Sequence, residues 1–227
     1  MNENFDGLRS TLMGLGFGVD PNIMCELEGA IELDQQEFAL YAETRFDDSS
    51  RIVAKLYITA PDQGQAYLTK YDARLYYSVE PVRNRHYTFT GGLISFKEAF
   101  NMLQGRAVYK TITTRFAGTS NAWLCFDFDE KDAEGNYALQ AFSDRYGFDL
   151  EKCLVLYPIA ELADPAKKED LLKSLQQGNL APVIAVKKSK TERWMIAANP
   201  AYKTINIFTS SNHHPSADLG SPNEGEQ

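Results

Sequence analysis

Between Glu37 and Thr90 the apolar residues recur at every second position, in runs separated only by short polar breaks. A period of two marks strands with one buried face, and connections this short permit hairpins but not parallel crossovers. Phe38, Leu40, Thr44 and Phe46 fall on one side of the first run, with Glu37, Tyr41, Glu43 and Arg45 on the other. Asp47-Asp48-Ser49-Ser50 reads as a turn. Ile52, Ala54, Leu56 and Ile58 then face one way until Pro61-Asp62-Gln63-Gly64 breaks the pattern. Tyr67 to Val79 and Arg85 to Thr90 complete a predicted four-stranded antiparallel meander.

The period ahead of this meander is helical. Phe5, Leu8, Leu12 and Leu15 recur at helical spacing, and Gly16 is placed to end the helix in a left-handed cap. Asp20-Pro21 reads as an N-cap with proline at the first helical position, leading into Ile23, Met24, Leu27 and Ile31. The chain therefore opens with a helical hairpin. Ser95-Phe96-Lys97-Glu98 has the form of a capping box and starts a short helix that ends at Gly105. Two alternating runs follow, Arg106 to Phe116 and Asn121 to Asp129. Asp149 to Tyr157 predicts a helix stopped by Pro158, and Asp164-Pro165 opens another with Leu171, Leu172 and Leu175 on its inner stripe and Gly178 as cap. Short strands are expected at 183–186, 194–197 and 204–208, with Lys188-Ser189-Lys190-Thr191 as a polar turn. The fold class expected is α+β. A helical hairpin plus antiparallel sheet occupies 1–145, and a smaller unit of helix and short strands occupies 146–209, with one core shared by both parts as the alternative. Residues 210–227 are too polar to bury anything and read as a disordered tail.

The 227 residues are 44% hydrophobic and 24% charged, the composition of an ordinary globular protein. A formal charge of -8 argues against a protein that coats nucleic acid indiscriminately. That total is unevenly spread. Residues 1–50 carry -9, residues 51–116 carry +6 and the remainder -5, so an anionic partner has only the middle of the chain to dock on. No basic, apolar leader opens the sequence and no run approaches a membrane span. Cys25, Cys125 and Cys153 are odd in number and widely spaced, which suits core packing in a reducing compartment. The expected location is the cytoplasm, with no membrane partner.

Familiar catalytic motifs are missing. His86, His213 and His214 are the only histidines, and no Gly-x-Ser-x-Gly, His-Glu-x-x-His or Cys-x-x-Cys occurs. Gly14-Leu15-Gly16-Phe17-Gly18 follows a helix instead of a strand and lacks the Lys-Ser of a phosphate loop, so it reads as a helix end. No cofactor is called for. The acidic run from Asp127 to Asn136 holds Lys131 and Asp132 where a calcium loop needs an oxygen ligand and glycine, so it reads first as a hairpin turn. Asp127 and Asp129, on one strand face, would be the first ligands of a metal. The basic middle offers more. Lys70, Asp72, Arg74 and Tyr76 share one face of a strand; Arg83, Arg85 and Tyr87 follow, and Arg106 and Lys110 extend the set. Cations and tyrosines on a sheet can hold phosphates and stack on bases, or can simply be a solvated face.

Several phrases form a recognisable set: Leu15-Gly16-Phe17-Gly18, Lys70-Tyr71-Asp72-Ala73, Leu103-Gln104-Gly105-Arg106-Ala107-Val108 after Lys97-Glu98-Ala99-Phe100, Tyr146-Gly147-Phe148-Asp149-Leu150, and Ala198-Asn199-Pro200-Ala201-Tyr202-Lys203-Thr204-Ile205-Asn206. Together they resemble an uncharacterised protein family of Bacteroidota over nearly all of 1–209. The last phrase is similar to modules of unknown function in proteins of conjugative and mobile elements. The resemblance implies company with mobile elements and no activity, cofactor or site residue. The expectation is a cytoplasmic binding or adaptor protein whose basic central sheet takes a protein or nucleic-acid partner. A metal-dependent enzyme acting on a phosphate ester through Asp127 and Asp129 is the alternative, and a self-associating structural protein the third reading.

Overall fold

The computed structural model describes residues 3–20, 22–78, 84–114, 118–132, 135–187 and 190–209. Its architecture is α+β, with three antiparallel sheets among the described residues. The chain divides into two compact units, the described parts of Met1–Gln104 with Phe126–Leu139 and of Gly105–Cys125 with Gln140–Gln227. This division differs from the expected one near residue 145. Strands β6 (Gly118–Lys131) and β7 (Tyr137–Ser143) each give one half to each unit, so no single linker parts them. The sequence reading does not foresee β7.

In the first unit the predicted meander is present as β1 (Glu37–Thr44), β2 (Ser50–Thr59), β3 (Tyr67–Tyr77) and β4 (Arg85–Thr90), in the order β1-β2-β3-β4. Leu40 and Ala42, then Ile52, Ala54, Leu56 and Ile58, then Tyr71, Ala73 and Leu75 are buried on its inner face. Tyr57 pairs with Lys70 while Ile58 pairs with Leu68, which leaves Thr69 as the extra residue of a bulge. The bulge keeps Leu68 and Tyr71 both inside although three positions separate them.

Helix α1 (Glu3–Gly14) buries Phe5, Leu8 and Leu12 at the predicted spacing. Gly16 then takes φ +81°, a backbone state in which a Cβ is costly, and turns the chain so that Phe17 enters the core. The Phe17 ring meets Tyr71 edge-on at 5.1 Å and Phe96 at 5.0 Å. Tyr71 donates its hydroxyl to the Ile94 carbonyl at 2.8 Å, and burial, reinforced by Glu98, pushes its phenol well above the usual range. Helix α3 (Phe96–Leu103) starts in the predicted capping box, with Ser95 and Glu98 each serving the other's amide.

Helix α2 (Ile23–Glu32) is capped differently from expectation. Asn22 precedes it, while Asp20 accepts the Asn22 amide at 2.9 Å through Oδ1 and the Glu43 amide at 2.9 Å through Oδ2. Pro21 lies outside the described residues. Glu26 of α2 accepts the Tyr41 amide at 3.0 Å, so carboxylates occupy two of the outward amides of the edge strand β1. Cys25, expected in the core, is exposed.

The second unit packs α4 (Leu150–Val155) and α5 (Pro165–Gln176) with a sheet of β8 (Ala181–Lys187), β9 (Lys190–Asn199) and β10 (Thr204–Phe208), ordered β10-β9-β8. Strand β5 (Val108–Thr114) pairs with the first half of β6. Trp123, Leu154, Leu175, Val183, Trp194 and Ile196 lie in its core. Asp149 and Asp164 cap α4 and α5, and Pro165 stands at the first helical position as predicted. Leu171 and Leu175 are buried and Leu172 is half-buried. The tail 210–227 and the turn residues Lys188 and Ser189 lie outside the described residues.

Candidate functional site

Strand parity sorts the basic residues of the first unit. On β2, Arg51, Lys55 and Tyr57 alternate with the buried Ile52, Ala54, Leu56 and Ile58, so they lie on the outer face. The register places Tyr41 opposite Lys55, Lys55 opposite Asp72, Tyr57 opposite Lys70 and Arg51 opposite Tyr76. Arg74 pairs with His86. Lys70, Arg74 and Tyr76 therefore stand together as predicted, joined by Arg51, Lys55, Tyr41 and Tyr57.

Arg85 and Tyr87 belong to the other face. They pair with Leu75 and Ala73, whose side chains point inward. The Arg85 guanidinium lies 3.6 Å from the Phe128 ring centroid and donates to the Leu103 carbonyl at 2.9 Å, the last residue of α3. Tyr87 packs 4.4 Å from Phe126, and burial, with Asp132 adding to it, raises its phenol pKa. Both residues hold the fold together. Arg83 lies outside the described residues. Arg106 and Lys110 are in the second unit, where Arg106 donates to the Gly178 carbonyl at 2.7 Å just past the end of α5.

The outer face is a lattice of cations beside tyrosine rings. Lys55 stands 5.0 Å from the Tyr57 ring and 5.8 Å from Tyr41, Lys70 4.8 Å from Tyr57, and Arg51 4.6 Å from Tyr76. The Tyr41 and Tyr57 phenols, in that order, raise the Lys55 pKa. Tyr57 donates to Asp72 at 2.9 Å, a bond that raises the Tyr57 pKa, and Thr88 donates to the other oxygen of Asp72 at 2.6 Å. Arg51 is paired with Glu43 at 2.9 Å. Lys55, Lys70 and Arg74 make no ion pair with any described residue. No described acid of the N-terminal helices forms an ion pair with them. Asp20 and Glu26 are committed to the β1 amides, and Arg9 pairs with Asp6 at 3.4 Å and Glu28 at 4.0 Å.

Elsewhere the chemistry is spent locally. Asp127 and Asp129 share one face of β6, where an Asp127 oxygen accepts the Asp129 amide at 3.0 Å. Asp132 accepts the Asn136 amide at 2.8 Å in the turn to β7. No three of His, Cys, Asp and Glu converge among the described residues. In the second unit a cleft of about 480 Å³ is lined by Tyr109, Trp123, Asp144, Phe148, Asp149 and Leu172, among others. Its acids are engaged. Asp144 accepts the Tyr109 hydroxyl at 2.8 Å, and Asp149 pairs with Lys152 at 3.0 Å. No helix among the described residues is long and apolar enough to cross a membrane. No family model matches the chain, and no curated protein or solved structure matches it significantly.

Proposed function

We propose that the protein is a cytoplasmic binding or adaptor protein that receives an anionic partner across the outer face of β1–β4, in a process associated with mobile elements or nucleic acid. One observation carries this reading: Lys55, Lys70 and Arg74 share an open, tyrosine-bearing sheet face without a carboxylate partner among the described residues. Asp72, with Glu37 and Glu43 on the same face of β1, offsets part of their charge, so the expected binding is modest and falls with salt. The net charge of -8 opposes it less than its size suggests, because charges beyond about 10 Å are screened at 0.1 M salt.

The test is fluorescence anisotropy with labelled heparin, comparing the native chain with the triple variant Lys55→Glu, Lys70→Glu, Arg74→Glu. The native chain should bind at about 50 mM salt and lose affinity by about 200 mM, and the variant should not bind. Absence of native binding at the lower salt, or equal binding by the variant, refutes the proposal.

A further inference from the structure

Resting on that reading, we infer that the anionic partner is single-stranded nucleic acid, with Tyr41 as the platform on which a base stacks and Lys55, Lys70 and Arg74 as its phosphate contacts. Tyr41 is 51% exposed and lies beside Lys55 at the margin of the cationic lattice. Tyr57 and Tyr76 have cations closer to their rings, so of the three tyrosines that stand beside these cations Tyr41 has the ring most open to a base. Tyr57 is a positioning residue. Lys55 and Lys70 both rest beside its ring, which holds their ammonium groups on either side of one strand pair.

Geometry separates this partner from its competitors. Four strands at about 4.8 Å spacing make a face about 14 Å across, too broad and flat to enter a major groove about 12 Å wide that admits one helix or a two-stranded ribbon. Only unstacked bases can lie on the tyrosine rings, whereas a duplex shows this face nothing but phosphate. An acidic peptide adding as a strand would lie along an edge strand, β1 or β4, whereas Lys55, Lys70 and Arg74 stand on the central strands β2 and β3.

The experiment titrates the full chain with labelled oligothymidylate of about 20 nucleotides, the matching duplex, and labelled heparin. With about three phosphates neutralised, the single-strand slope of log affinity against log salt should be about -2, an 18-fold loss between about 50 and 200 mM salt. Tyr41→Ala should weaken oligothymidylate binding by about 5- to 150-fold. It should leave heparin binding within about twofold, and Tyr41→Phe should keep the native affinity. Duplex binding as tight as single-strand binding, or unchanged oligothymidylate affinity in Tyr41→Ala while heparin still binds, overturns the inference and leaves the anion-binding reading standing. If heparin also fails to bind the native chain, both fall.

Discussion

Arg74 and Arg85 lie one strand apart in the same basic stretch, yet the structure gives them opposite duties, and alanine substitution of each separates the two. Arg85 donates a charged hydrogen bond to the end of α3 and stacks on Phe128. Loss of such a bond costs about 1.5–3 kcal/mol, and loss of the stacking about 0.5–2 kcal/mol. Together they amount to roughly 2–5 kcal/mol, which at about 2–4 °C per kcal/mol lowers the melting temperature by roughly 4–20 °C. Arg74 is exposed and bonds to no described residue, so Arg74→Ala should move the melting temperature by no more than about 2 °C while weakening heparin binding. Calorimetry and anisotropy on the same two variants give both readouts. Equal melting losses, or a binding loss confined to Arg85→Ala, would refute the assignment of the two residues to opposite faces.

Two further predictions concern the frame that carries the face. Burial alone would raise the Asp47 pKa, but hydrogen bonds from Gln104, Ser50 and Ser49 outweigh it and hold the carboxyl below its ordinary range. Its folded form thus titrates below the unfolded value near about 3.9, so its contribution is complete above that pH and lost as pH falls through the folded value. Melting curves from neutral to acid pH should show the gap between native protein and Asp47→Asn closing in acid, and a constant gap would contradict this. Tyr71→Phe removes the buried bond to the Ile94 carbonyl and should cost about 1–3 kcal/mol in denaturant titration, whereas a neutral result would show that the carbonyl finds another donor.

The meander, its inner residues and most helix ends were legible because they rest on local pattern. Period-two alternation names the inner side of β2, and Ser95, Asp164 and Gly16 act within a turn of where they stand. The composition of the candidate face was not fully legible. Grouping Arg85 and Tyr87 with Lys70 and Arg74 requires the register between two strands, and a slip of one residue exchanges the faces. A signal was nonetheless present: Phe89 shares parity with Arg85 and Tyr87, while His86, Thr88 and Thr90 form the polar set. Applied to β1 and β2, the same parity would have added Tyr41, Arg51, Lys55 and Tyr57. The use of Asp20 and Glu26 on the β1 edge, and the sharing of β6 between units, depend on contacts distant in sequence and leave no local trace.

The central claim is that the outer face of β1–β4 is the binding surface, and lysine acetylation read by mass spectrometry tests it directly. In the presence of heparin, Lys55 and Lys70 should be protected while the exposed Lys167 and Lys173 of α5 react as before. Unchanged labelling of Lys55 and Lys70 under conditions where heparin is bound would contradict the account.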